Sequence, residues 1–145
     1  MLVQFEIVTD KEQEGAWIRA VEKNPQIIEA IRLLEGNAGR IAVMKDGQKL
    51  FCDVRTIYYV ESVDKRTFVY TKDGCYETKL RLYELEEELG PLYARCSKAM
   101  IVNLRKVRQL NSEMGGRLCA TLLNGEDIVI SRSYVKEIKR RLKLS

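Results

Sequence analysis

Apolar Val3, Phe5 and Ile7 alternate with polar Gln4 and Glu6 over residues 2–8, the two-residue period of a strand with one buried face. Residues 16–22, entered through Gly15, admit a helix, but alternation around Arg19 favours a second strand. Asn24-Pro25 then reads as an N-cap followed by the first helical residue. Ile27, Ile28, Ile31 and Leu34 recur at helical spacing until Gly36 stops the helix. Residues 1–40 are therefore expected to form a small ββα appendage.

The rhythm changes from residue 40 onward. Asp46-Gly47, Asp73-Gly74 and Asn124-Gly125 each separate alternating apolar stretches, and such dipeptides accept the positive φ angles of two-residue hairpin turns. Three hairpins are predicted. Between the second and third, residues 81–89 predict a short helix with Leu82, Leu85 and Leu89 on one face, opposite Glu84, Glu86, Glu87 and Glu88, and ended by Gly90-Pro91. Gly115-Gly116 marks a further strand connection. The last helix is predicted from Ser131, as N-cap, to about residue 142, with Val135, Ile138 and Leu142 inward. The fold class expected is mainly β with short helices (α+β), with β-hairpins over 41–145 behind the ββα appendage.

Composition narrows what such a domain can do. At 145 residues and 46% apolar content the chain is one domain, or one domain with an appendage, able to bury a core. No apolar run reaches the roughly 18 residues of a membrane span, and the N-terminus lacks a signal-peptide pattern, so a cytoplasmic location is expected. Cys52, Cys75, Cys96 and Cys119 form no Cys-x-x-Cys pair, which signals neither a zinc ribbon nor a thioredoxin-like centre. Histidine is absent, removing Ser-His-Asp and Cys-His catalysis and His-ligated metals. With no Gly-rich phosphate loop or paired-carboxylate motif, an enzyme, a cofactor, a metal site and a small-molecule substrate are not expected. The glutamates at 84, 86, 87 and 88 read as the solvent face of their helix.

Charge is unevenly distributed. Residues 1–40 carry five Lys and Arg against seven acidic residues, whereas residues 91–145 carry twelve against four, a local +8. A positive field of this kind attracts phosphate polymers. Three basic places lie near turns: Asp64-Lys65-Arg66-Thr67, Arg95-Cys96-Ser97-Lys98, and Ser131-Arg132-Ser133. Each also has a plain structural reading, as a solvated hairpin turn, a polar connection and an ordinary helix start. Asn103 reads as a fold residue bonded to a neighbouring backbone turn, and the basic residues of 136–143 as mostly a solvated helix face.

The ordered set of motifs resembles the LytTR family of bacterial DNA-binding domains. It comprises Ile57-Tyr58-Tyr59-Val60-Glu61-Ser62, the turn Asp73-Gly74, Leu82-Tyr83-Glu84-Leu85-Glu86, Arg95 to Leu104 with its Val102-Asn103, then Asn124-Gly125 and Ile130-Ser131-Arg132-Ser133-Tyr134. The family's closing Ser-Arg-Arg-Tyr is kept except that Ser133 replaces the second arginine. By resemblance the protein would be a transcriptional regulator binding double-stranded DNA without a cofactor, its loops and one helix start entering neighbouring major grooves. The resemblance implies Lys65, Arg66, Arg95, Ser97, Lys98, Arg132, Ser133 and Lys136 as DNA-binding residues. It also implies a layered arrangement of the 41–145 hairpin domain, and two copies on repeated half-sites that bend the DNA.

Many family members carry an N-terminal receiver domain, for which about 40 residues are too few. The appendage instead resembles that of stand-alone regulators, some associated with small membrane proteins. Trp17, Ile18, Ile27 and Ile28 in so short a segment motivate a homodimer. One rival is a protein-interaction module with weak or non-specific nucleic-acid binding. A second is an RNA-binding β domain, which would expose aromatics such as Tyr58, Tyr59, Phe68 and Tyr70 at strand centres.

Overall fold

The computed structural model describes residues 1–34 and 39–143. Ten strands are present among them: β1 Arg40–Lys45, β2 Gln48–Asp53, β3 Ile57–Val63, β4 Arg66–Thr71, β5 Gly74–Thr78, β6 Tyr93–Ser97, β7 Met100–Asn103, β8 Val107–Ser112, β9 Leu118–Leu122 and β10 Asp127–Ile130. Three α-helices accompany them: α1 Pro25–Leu34, α2 Leu82–Leu89 and α3 Arg132–Arg141. The first seven strands form one sheet in the order β2-β1-β5-β4-β3-β7-β6, and the last three form a second, β10-β9-β8. The mainly β architecture expected from the pattern is the one observed.

Two cores separate the layers. Ile41, Val43, Ile57, Val60, Val69 and Ile101 face α2, whose Leu82, Leu85 and Leu89 close the first core. On the other side of the sheet Tyr58, Ala94, Cys96 and Val102 meet Leu118, Ala120, Leu122, Ile128 and Ile130 of the small sheet and Ile138 of α3. The neighbours Ile101 and Val102 go to opposite cores, as strand alternation requires. A register shift between Ile57 and Tyr59 turns both Tyr58 and Tyr59 toward the second core, a re-aiming of side chains typical of a bulge.

Sequence and conformation agree at several turns. Asp46 and Gly47, at φ 53° and 76°, close the β1–β2 hairpin. Asp64 and Lys65 close β3–β4 at φ 49° and 65°. Beside the three hairpins predicted from Asp-Gly and Asn-Gly turns, β3–β4 closes at the 64–67 turn, β8–β9 at the Gly115-Gly116 connection, and β6–β7 through a short turn at Lys98-Ala99. Helix α2 begins with the Glu84 carboxylate accepting from the Arg81 N–H at 3.1 Å. It ends at Gly90, φ 90°.

The appendage departs from expectation. Helix α1 forms, with Asn24 accepting from the Ile27 N–H at 3.0 Å. Ile27 is buried, Arg32 donates to the Glu88 carbonyl at 2.7 Å, and Arg105 reaches Glu29 at 3.5 Å. The predicted strands at 2–8 and 16–22 do not form: residues 1–23 are exposed throughout and include only a short 3-10 turn, Lys11–Gln13. Alternation defines a face but supplies no partner, and two short strands without one are marginal in water. The predicted helix stop at Gly36 lies outside the described residues.

Candidate nucleic-acid interface

Three basic tips meet at one end of the molecule because β3 lies beside β7. The Ser62 N–H donates to the Ala99 carbonyl at 2.8 Å, which sets the Asp64-Lys65 turn beside the Lys98-Ala99 turn. The Ser131 N–H donates to the Cys96 carbonyl at 2.8 Å, tying the start of α3 to the end of β6. Lys65, Lys98 and Arg132 are exposed there, and among the described residues none of the three makes an ion pair. Ser133 and Lys136 are also exposed, with Lys136 one helical turn beyond Arg132 on the same face.

Each tip is held by its own local chemistry. The Ser97 hydroxyl accepts from the Ala99 N–H at 3.2 Å, so Ser97 shapes the β6–β7 turn. Ser131 occupies the N-cap position of α3, but its hydroxyl makes no capping bond. Its side chain therefore leaves the first amides of that helix uncapped. Arg132 lies against the Met114–Gly116 turn, where a Cβ on Gly116 would stand 3.1 Å from its Cδ. Gly116 has φ 79°, so both backbone and space call for glycine there.

Two predicted arginines have other occupations. The Arg95 guanidinium binds the Glu86 carboxylate and donates to the Lys98 carbonyl at 2.7 Å. It faces α2, on the opposite side of the sheet from α3, and is a brace for the β6–β7 turn rather than a member of the tip cluster. Ordinary strand alternation sets that direction, because Arg95 stands opposite Ile101 and shares its face of the sheet. Arg66 stays exposed but donates to both carboxylate oxygens of Glu77, at 2.6 and 3.1 Å, above the Phe68 ring. Exposed pairs of this kind contribute little net stability, so a phosphate can compete for Arg66. At the far end of α3, Glu137 engages Arg140 and Arg141 at 2.6 and 2.9 Å, and those hydrogen bonds hold its carboxyl down at about 2.

Arg117, unassigned from sequence, is exposed beside the same turn as Arg132 and donates to the Met114 carbonyl at 3.3 Å. Its only signal in the chain was its place directly after Gly115-Gly116. The aromatics do not form an open stacking platform: Tyr58 is buried, and Tyr59 stacks on Tyr70 at 4.5 Å and donates to Glu126 at 2.8 Å. Burial pushes the Cys96 thiol up to about 12, whereas Cys75 is exposed. Among the described residues no group of His, Cys, Asp or Glu is arranged to hold a metal ion. No described helix is long and apolar enough to cross a membrane.

A layered β-hairpin domain that gathers basic turns and one helix start at a single end belongs to a recognisable class of DNA-binding architecture. The LytTr DNA-binding domain model matches residues 47–143, and the chain belongs to that family. It is 30% identical over 106 residues to the transcriptional regulatory protein YpdB of Escherichia coli K12, covering 72% of this chain and 43% of that protein. The chain thus spans less than half the length of that relative. It is 33% identical over 92 residues to an uncharacterized HTH-type transcriptional regulator of Staphylococcus aureus, covering 63% of each. In structure it resembles the LytTr DNA-binding domain of a Bacillus cereus protein described as a methyl-accepting/DNA response regulator. That match has a TM-score of 0.68 at 22% identity and covers 72% of this chain and 96% of the other.

Proposed function

We propose that this protein is a bacterial cytoplasmic transcriptional regulator that reads double-stranded DNA with its three basic tips. The observation that carries the reading is the pair of backbone bonds, Ser62 to Ala99 and Ser131 to Cys96, that bring those tips to one end. Lys65, Lys98 and Lys136 supply phosphate anchoring or hydrogen bonds to guanine edges in the major groove. Arg132 has the fork geometry for bidentate contact with guanine. Ser133 and the uncapped start of α3 suit a backbone phosphate. Arg66 joins after releasing Glu77. Arg95 and Ser97 act by holding the Lys98 turn in shape. Two copies occupy repeated half-sites, and no cofactor takes part.

The salt dependence of binding tests this. Log affinity for duplex DNA should fall linearly with log salt, with a slope of about −0.9 per phosphate neutralised. Lys98→Ala and Lys136→Ala should each reduce the slope by about 1 if they anchor phosphates. A slope unchanged by both substitutions would move DNA away from this end of the molecule and favour a protein-interaction module.

A further inference from the structure

Among the described residues, the outer edge of β2 and the segment before α1 are both left without a partner, and they complement each other. Strand β2 ends the seven-stranded sheet, with β1 as its one neighbour among those residues. An open edge offers a row of backbone donors and acceptors to another strand. The opposite edge, β6, is covered at its end by α3 through the Ser131–Cys96 bond. The free edge strand β8 carries mainly polar Arg108, Gln109, Asn111 and Ser112. Strand β2 instead leaves Leu50 38% and Phe51 65% exposed beside a shallow groove of about 270 Å³ that Val43, Cys52 and Tyr76 help to line.

Residues 2–8 have the matching pattern, with Val3, Phe5 and Ile7 each more than 80% exposed. Charge matches as well. Residues 1–23 carry five acidic against three basic residues, whereas residues 40–55 carry Arg40, Lys45, Lys49 and Arg55 against Asp46 and Asp53.

We propose that residues 2–8 of one copy add as a strand to the outer edge of β2 in a second copy. Val3, Phe5 and Ile7 then continue the face of Leu50 and Cys52 over the groove. Gln4 and Glu6 fall on the face that carries Lys49, Phe51 and Arg40. Reciprocal exchange of the two segments closes a two-fold dimer. This pairing supplies the contact that the two-copy reading needs, and rests on that reading.

The test mixes two full-length single variants in a Cys75→Ser background, one Glu6→Cys and the other Lys49→Cys. Oxidation should yield a covalent heterodimer, absent from the Cys75→Ser parent. Phe5→Asp should weaken self-association in sedimentation by at least about tenfold, with an unchanged melting temperature at concentrations where the parent is monomeric, because the residue is 89% exposed in the single chain. No heterodimer, or a link that forms only inside one chain carrying both cysteines, would overturn the pairing. If Phe5→Asp still associates like the parent and two copies still load on DNA, the edge contact fails while the two-copy reading stands. A single copy per DNA duplex would remove that reading together with the contact.

Discussion

Asn103 shows how one side chain can hold this fold together. It is fully buried, donates its amide to the Ile57 carbonyl at 2.8 Å and accepts from the Arg105 N–H at 3.0 Å. Asp53 does the local half of this, accepting from the Arg55 N–H at 2.9 Å. Each residue starts a 3-10 turn that links one hairpin to the next, Val54–Thr56 and Leu104–Lys106. Asn103→Ala strands the buried Ile57 carbonyl and frees the part-buried Arg105 N–H, and should lower unfolding free energy by about 2–4 kcal/mol, read from urea titration. A loss below about 0.5 kcal/mol would mean that the two bonds contribute little net stability. Cysteine chemistry is decided at the same scale. With its thiol raised to about 12 by burial, Cys96 should resist alkylation at neutral pH in the native state, whereas Cys75 should react first. Fast labelling of Cys96 in native protein, located by peptide mass analysis, would contradict that.

Among the elements, the β3–β4 hairpin couples fold to site most directly. Asp64 and Lys65 both take positive φ, which glycine adopts at lower cost. Lys65→Gly should therefore keep or slightly raise the melting temperature while weakening DNA binding, whereas Lys65→Ala keeps the β-carbon and with it the strain of the native turn. Equal losses in stability and binding for Lys65→Gly would show that the lysine side chain supports the turn rather than the ligand. The turn itself was legible from the sequence, as were α2 and α3, because turn chemistry and helical spacing are local signals. The appendage strands were not. The alternation of Val3, Phe5 and Ile7 reports a face that could be buried, but a strand needs a neighbour, which no local pattern specifies. The partners of Arg95 were hidden for a related reason: strand alternation turns it toward α2, but its pairing with Glu86 is a contact between distant elements that the motif does not reveal.

At the scale of the whole molecule, the site depends on sheet order. Lys65 and Lys98 are 33 positions apart, and Arg132 is a further 34, yet β3 beside β7 and α3 against β6 set their turns together. The ordered family motifs implied this gathering, while composition and periodicity showed only that basic turns existed. Arg117 joined the neighbourhood only through the Gly116–Arg132 approach. Positive charge elsewhere is partly neutralised locally, as with Glu137 beside Arg140 and Arg141. Among the described residues, ion pairs engage Arg55, Arg66, Arg95 and Arg105 as well, whereas Lys65, Lys98 and Arg132 make none.

The most direct test is selection of bound fragments from random duplex DNA by the full chain at near-physiological salt, followed by affinities for the selected and scrambled duplexes. The predicted result is discrimination of about 10³ or more, which Lys98→Ala or Arg132→Ala reduces without unfolding the protein. Equal affinity for both duplexes, or discrimination untouched by both substitutions, would contradict a sequence-reading surface built from the three tips.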